Sequence, residues 1–388
     1  MNSMWWRKLE QLDNTQRAFL EMPVQGRYLL EGPPGSGKTN LLLLRAQYLA
    51  GTGEKNVLII TYTKTLANFI RSGPIASQLI STSQIKTYHS WAFDHIRQYL
   101  GNVPIKKTKG DDFDEADRVA MLEAVIEANK RLPSPKLYSA IFVDEAQDLT
   151  VRELDALLCL SDRVCICGDK RQGVYKRDGL DIGDSLNLAR YTLKAHYRIG
   201  QRIAHVADRL LEPSPGERSL EETSNYNAKV EGASTAEMHQ IDTRDGQFAS
   251  MLDLIRVQLD AFSEDSIGVF CGKRETLAEL RERFDGTDLA SLVCVHGVDS
   301  DSNFGDEKRI HVITMHSAKG TEFRSVHMFA VEELKGYGLN HRELGYTAIT
   351  RARTALNAFR TDETNKPLEA AFALPSPMTS ASLFSGLS

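Results

Sequence analysis

The chain has 388 residues, 41% of them hydrophobic, 26% charged and 8% aromatic, with a formal net charge of -5. At roughly 150 residues per domain this mixture forms two or three domains with buried cores, and its acidic balance excludes a protein that coats nucleic acid through bulk charge. No apolar run approaches the roughly 20 residues of a membrane-spanning helix, and the opening Met1-Asn2-Ser3-Met4-Trp5-Trp6 lacks the layout of a secretory signal, so a cytoplasmic protein without a membrane partner is expected.

In chain order, β-branched runs at 27–31, 57–61, 140–144, 163–167, 267–270, 310–314 and 325–331 alternate with helical patterns. Strands that alternate with helices imply α/β architecture, with parallel sheets and crossover helices. Between 100 and 135, a basic patch (Lys106, Lys107, Lys109) precedes an amphipathic helix with Ala116, Val119, Leu122 and Ile126 on one face, which reads as a small insertion. Residues 212–235 read as a loop, and the stretch from 361 to 388, with Pro367, Pro375, Pro377 and many serines, as a disordered tail. The five cysteines (Cys159, Cys165, Cys167, Cys271, Cys294) form no C-x-x-C pair and no metal-like cluster with histidine; they read as reduced structural thiols.

The most specific local signal is Gly32-Pro33-Pro34-Gly35-Ser36-Gly37-Lys38-Thr39, between a strand ending at Glu31 and a helix over 39–48. This is the P-loop pattern G-x-x-x-x-G-K-[ST] in its confirming context. Its glycines let backbone N–H groups close around phosphate oxygens at a helix N-terminus. Lys38 is placed to reach the β- and γ-phosphates of ATP, and Thr39 to ligate Mg²⁺. A buried strand then runs into Asp144-Glu145-Ala146-Gln147-Asp148. Asp144 fits the second magnesium ligand and Glu145 the residue that orients water.

Further motifs follow in order, and with them the chain resembles superfamily 1 helicases of the UvrD/Rep-like branch from about residue 12 to 359. Leu12-Asp13-Asn14-Thr15-Gln16 resembles the Q motif, in which the glutamine reads the adenine edge. Thr61-Tyr62-Thr63-Lys64 and Thr87-Tyr88-His89-Ser90-Trp91 are similar to two DNA-contacting motifs. Gly168-Asp169-Lys170-Arg171-Gln172, then Tyr175, resembles the motif linking the γ-phosphate to the DNA track. In the second half, Ala195-His196-Tyr197-Arg198 resembles N-Y-R. The segment Thr314-Met315-His316-Ser317-Ala318-Lys319-Gly320-Thr321-Glu322-Phe323 resembles T-x-H-x-x-K-G-x-E-F, and Thr347-Ala348-Ile349-Thr350-Arg351-Ala352 resembles V-A-x-T-R-A.

The resemblance implies two RecA-like lobes around an ATP cleft: residues 1–190 with the insertion at about 100–135, and residues 191–360. It implies Gln172, Arg198 and Arg351 as catalytic partners of Lys38 and Glu145, since a guanidinium on the γ-phosphate can be worth about 10³–10⁵ in rate. Tyr197 and Glu322 join the nucleotide-binding set. Thr61, Tyr62, Thr63, Thr87, His89, Trp91, Tyr175, Arg177 and His316 form the expected DNA surface, where base stacking contributes about 1–3 kcal/mol per base. Asn40 stands where the family usually has an adenine-sandwiching arginine, and Arg177 where it usually has a stacking tryptophan.

The intervals Gly32 to Asp144 and Arg198 to Thr314 are far shorter than in full-length relatives, which insert an accessory domain in each. The first expectation is therefore a nearly bare ATP-dependent translocase or helicase on single-stranded or tailed DNA, 3′→5′ by resemblance. An alternative is a nucleic-acid-stimulated NTPase sensor that regulates a nuclease or other effector, like the helicase-like component of some anti-phage defence systems. A third is a nucleotide-gated DNA clamp, against which the intact catalytic set argues.

Overall fold

The computed structural model describes residues 9–72, 79–103, 115–300, 304, 307–336 and 341–373. The Lys106, Lys107 and Lys109 patch and the segment 374–388 lie outside the described residues.

The first half contains α1 (Asn14–Glu21), β1 (Arg27–Glu31), α2 (Lys38–Gly51), β2 (Val57–Thr61), α3 (Lys64–Ser72), β3 (Ile85–Thr87), α4 (Tyr88–Leu100), α5 (Glu115–Lys130), β4 (Ala140–Val143), α6 (Val151–Leu158), β5 (Val164–Gly168), α7 (Ile182–Ser185) and β6 (Ala189–Thr192). Its strands form one parallel sheet of order β3-β2-β4-β5-β1-β6. Successive residues of a strand face opposite sides, so β1 feeds two cores. Leu29 packs with Ile60, Ile141, Ile166 and Trp91 beneath α4, α5 and α6, while Tyr28 and Leu30 pack with Ile59, Phe142 and Leu41 beneath α1, α2 and α3. Caps fix where the helices begin: Thr150 and Glu153 form a reciprocal box at α6, and Thr87 accepts from Ser90 N–H at α4.

The second half contains α8 (Gln201–Leu210), α9 (Ala228–Glu231), β7 (Thr235–Gln240), α10 (Arg244–Ala261), β8 (Ile267–Cys271), α11 (Arg274–Asp285), β9 (Val293–Val295), β10 (Ile310–Thr314), β11 (Phe323–Met328), α12 (His341–Ile349), β12 (Ala352–Arg360) and α13 (Lys366–Phe372). It repeats the plan with a parallel sheet of order β7-β12-β11-β8-β10-β9. Phe270, Ile313, Val326 and Leu356 face α8, α12 and α13. Val269, Val295, Val312 and Phe359 face α10 and α11. The fold is thus α/β with two parallel-sheet lobes, and among the described residues no helix is long and apolar enough to cross a membrane.

Several sequence expectations need correction. Strand β6 pairs with β1 through Tyr28↔Ala189 to Glu31↔Thr192, so the first lobe runs past residue 190; the strand is largely exposed and carries no apolar signature. In α5 the buried residues include Arg118, Met121, Leu122, Val125 and Ala128, whereas Val119 is exposed. The helix is buried on more than one side because α4 and α6 both pack on it. The tail expected from 361 is structured to Phe372, since Asn365 caps α13 and Leu368, Ala371 and Phe372 bury against the second core. Finally, no disulfide joins the cysteines, but folding sets Cys294 beside His296 and His311, a grouping that linear spacing does not reveal.

Candidate functional site

The P-loop leaves β1 and turns into α2 through Gly35 (φ 72°) and Gly37 (φ 90°), left-handed conformations that glycine adopts without strain. Lys38 Nζ donates to the carbonyls of Gly32 (2.7 Å) and Pro33 (3.0 Å), so its charge lies inside the loop. Gln16 is buried and already committed. Its Oε1 accepts from Asp13 N–H at 3.2 Å in the α1 capping box, and its Nε2 donates to Ser36 O at 2.9 Å. In this arrangement it braces the P-loop from α1.

Two acidic residues leave the end of β4. Thr39 Oγ1 donates to Asp144 Oδ2 at 2.7 Å, while Asp144 Oδ1 accepts from Glu145 N–H at 2.9 Å and from the Cys167 thiol at 2.9 Å. Burial, with Glu145 adjacent, raises the Asp144 carboxyl to a pKa of about 6. Glu145 sits at φ 54°, a strained backbone for a side chain with a Cβ, and the Gln147 amide bonds its carboxylate. Burial opposes its ionisation, but Lys319, Arg351 and Lys38 outweigh that, and its pKa is lowered. Two neighbouring carboxyls therefore have divergent proton affinities.

The second lobe closes the cleft. Pro34, Gly35, Gly37, Lys38, Thr39, Glu145 and Gln172 line it from one side, and Arg198, Thr321, Glu322 and Arg351 from the other, around a cavity of about 70 Å³. Arg198 is ion-paired with Glu322. Arg351 is buried and anchored by Thr347 O at 3.0 Å and Thr321 O at 3.4 Å. Tyr197 stands at the edge, its N–H donating to Gly35 O at 3.3 Å. The residues present fit a nucleotide with a hard divalent cation. The Ser36 hydroxyl and Gln172 Nε2 are buried with no partner among the described residues, and the Thr39–Asp144 oxygens are hard donors.

Two residues not assigned from the sequence join the lobes. Lys319 Nζ bonds both oxygens of Asp148, at 2.6 and 2.7 Å, with 1% and 0% of the side chains exposed. Both lie inside the motifs described above, so the residue types were visible, but not their pairing.

On the first lobe, several expected DNA-contacting residues converge. Tyr62 meets Tyr175 at 5.0 Å and His89 at 5.7 Å between ring centroids, and the Arg177 guanidinium lies 5.9 Å from the Tyr175 ring. Behind Tyr62, Arg118 donates to its hydroxyl at 2.8 Å and grips Glu153 with 2.6 and 2.5 Å contacts. Burial, reinforced by Arg118 and Arg177, lowers the His89 pKa to about 4. Arg118 carried no local sequence signal, and the Thr150-x-x-Glu153 pattern signals only a helix cap.

Trp91 does not belong to that surface. It is 1% exposed, packs in the first-lobe core and donates to Tyr138 Oη at 3.0 Å, because α4 turns this face toward the sheet. Thr61 is wholly buried with its hydroxyl on Thr63 O, and Thr87 is occupied as the α4 cap; both are corrected to structural roles. Thr63 and His316 remain half-buried, with the Thr63 hydroxyl accepting from Leu66 N–H.

A family model described as an AAA domain matches residues 16–178, and one described as a UvrD-like helicase C-terminal domain matches residues 309–358. A solved structure of the PRRSV helicase is similar at 18% identity with a TM-score of 0.40, covering 94% of this chain and 58% of that one. This chain thus spans little more than half the length of that structure. No curated protein matches the chain.

Proposed function

We propose that this chain is a UvrD-like helicase of superfamily 1, a reading supported by its matches to an AAA domain and to a UvrD-like helicase C-terminal domain, and that it hydrolyses ATP between its lobes and thereby moves along single-stranded DNA, 3′→5′. The observation that carries the reading is the cleft itself. Lys38, Glu145 and Gln172 come from one lobe and Arg198, Glu322 and Arg351 from the other, all around one cavity.

Lys38 exchanges its carbonyl contacts for phosphate oxygens. Glu145, kept ionised by three cations, orients the attacking water and receives its proton. Gln172 uses its unpartnered amide on the γ-phosphate or that water, and Arg198 and Arg351 neutralise charge in the transition state. A Mg²⁺ ion held by Thr39 and Asp144 would supply Lewis-acid charge neutralisation there. Tyr197 offers a ring to the base. The nucleotide enters between the lobes, which close on it and complete the site.

Tyr62, His89, Tyr175 and Arg177 serve as the stacking platform on the first lobe, with Thr63 and His316 contributing backbone contacts. The reduced insertion, with α5 the one described helix between α4 and β4, favours a second reading. In it, hydrolysis is stimulated by nucleic acid without processive unwinding, and a nuclease or other effector partner does the remaining chemistry.

The test is phosphate release with and without single-stranded DNA. DNA should stimulate release, and Lys38→Ala or Glu145→Gln should abolish it. Arg351→Ala should slow turnover while nucleotide binding persists. Unchanged release in the first two variants, or lost binding in the third, refutes the site assignment. A 3′-tailed duplex that stays intact while ATP is consumed favours the second reading.

A further inference from the structure

We propose that Cys294, His296 and His311 form a zinc site in the second lobe, separate from the nucleotide cleft. Strands β9 and β10 pair in parallel with Cys294 opposite His311. The ladder continues one residue further, as His296 N–H donates to Val312 O at 2.9 Å. Alternation along the strands then gives Cys294, His296 and His311 one face and Val295 and Val312 the other. The latter two lie in the core beneath α10 and α11, which leaves the three ligand-type side chains together on the opposite side.

One donor atom from each residue lies within 4.8 Å of the others, and His296 Nε2 is 3.1 Å from His311 Nδ1. Tetrahedral zinc with bonds of about 2.0–2.1 Å to nitrogen and 2.3 Å to sulfur separates its ligand atoms by roughly 3.3–3.7 Å. Small side-chain rotations bring the group to that geometry. A soft thiolate with two imidazoles selects Zn²⁺ over Mg²⁺ or Ca²⁺. Three protein donors leave a fourth position for solvent.

The surroundings shield the three donors from bulk solvent. All three residues are buried, at 2%, 7% and 1% exposure for Cys294, His296 and His311. His311 also bonds backbone at Lys308, the type of outer contact that fixes the tautomer and orientation of a metal-binding ring. Phe304 covers both rings, with centroids 4.4 Å from His296 and 4.7 Å from His311, and its own edge contact with Phe69 reaches the wall of the nucleotide cleft. An ion here pins β9 to β10 beneath the Phe304 ring.

The test uses the full chain stripped with chelator and titrated first with Co²⁺, then with Zn²⁺, followed by elemental analysis after gel filtration. The expected result is one equivalent of metal per chain, with a thiolate-to-cobalt charge-transfer band that zinc displaces. Cys294→Ser should remove the band, and His296→Gln should weaken binding by roughly tenfold or more. Cys159→Ser, at the exposed thiol, should leave binding unchanged. If the wild-type chain retains no stoichiometric zinc, or if the band survives Cys294→Ser, the site does not exist and the two rings are simply a hydrogen-bonded core pair. The wild-type titration decides the matter even if a variant fails to fold.

Discussion

Asp148→Asn and Lys319→Met probe the ion pair that ties the lobes together. Both side chains are essentially inaccessible and the contacts are short, 2.6 and 2.7 Å. Removing one partner strands the other's charge in a low-dielectric interior, which costs about 3–5 kcal/mol, whereas replacing both by apolar groups is near neutral. Burial also raises the Asp148 pKa to about 6 even though Lys319 opposes the shift. Desolvation is therefore the dominant cost of keeping this carboxylate charged. At about 2 cal/mol/K per residue, a transition that melts one lobe loses roughly 2–3 °C per kcal/mol. Each single variant should thus lower Tm by about 6–15 °C in differential scanning calorimetry, and Asp148→Leu with Lys319→Met together should recover most of the loss. Additive losses in the double variant, or single-variant shifts below about 2 °C, would refute the buried bridge. Lys319→Met should also raise the Glu145 pKa, because Lys319 is the leading cation holding it down; the acid limb of the ATPase pH profile then moves to higher pH.

The two aromatics that sequence placed on one surface should separate cleanly. Trp91→Ala should cost about 3–5 kcal/mol of stability by opening a core cavity, while Tyr175→Ala, which removes only partly buried packing, should cost less stability and weaken single-stranded DNA binding by about 1–3 kcal/mol in fluorescence anisotropy; an unchanged Tm for Trp91→Ala contradicts the placement. Arg118→Met should destabilise the first lobe by about 3–5 kcal/mol, because Glu153 loses its buried partner, and a neutral melting curve would remove Arg118 from its supporting role behind Tyr62. For pH, burial lowers His89 to about 4 and His327 to about 3, so below the unfolded value near 6.5 the unfolded chain binds protons that the folded chain does not. Stability should fall on acidification from pH 7 to 6, before the raised carboxyls of Asp144 and Asp148 begin to oppose it near 6. A melting temperature that rises over that interval would count against neutral buried rings.

The strands most legible in the sequence were those with dense apolar or β-branched cores. The runs 27–31, 57–61 and 310–314 coincide with β1, β2 and β10. Strand β6 was not legible because it is an exposed edge whose Ala189 and Arg190 carry no burial pattern. At the site, the P-loop and the Asp144–Glu145 pair follow from local motifs, since their chemistry demands adjacent residues. Lys319 and Asp148 are 171 positions apart, and Arg118 meets Tyr62 across 56; such pairings exist only once the sheets are assembled. Trp91 shows the converse error, because proximity to a strand end in sequence says nothing about which way α4 turns it. The same limit hid the meeting of Cys294 with His311, which depends on strand register.

Translocation tests most directly whether closure of this cleft drives movement along DNA. Single-stranded DNAs of increasing length, labelled at one end, are mixed with the prebound chain and ATP in a stopped-flow instrument. The predicted result is a signal from the 5′-labelled end after a lag that grows linearly with length and vanishes with Glu145→Gln. A lag independent of length, at either end, while ATP is hydrolysed at full rate would contradict it.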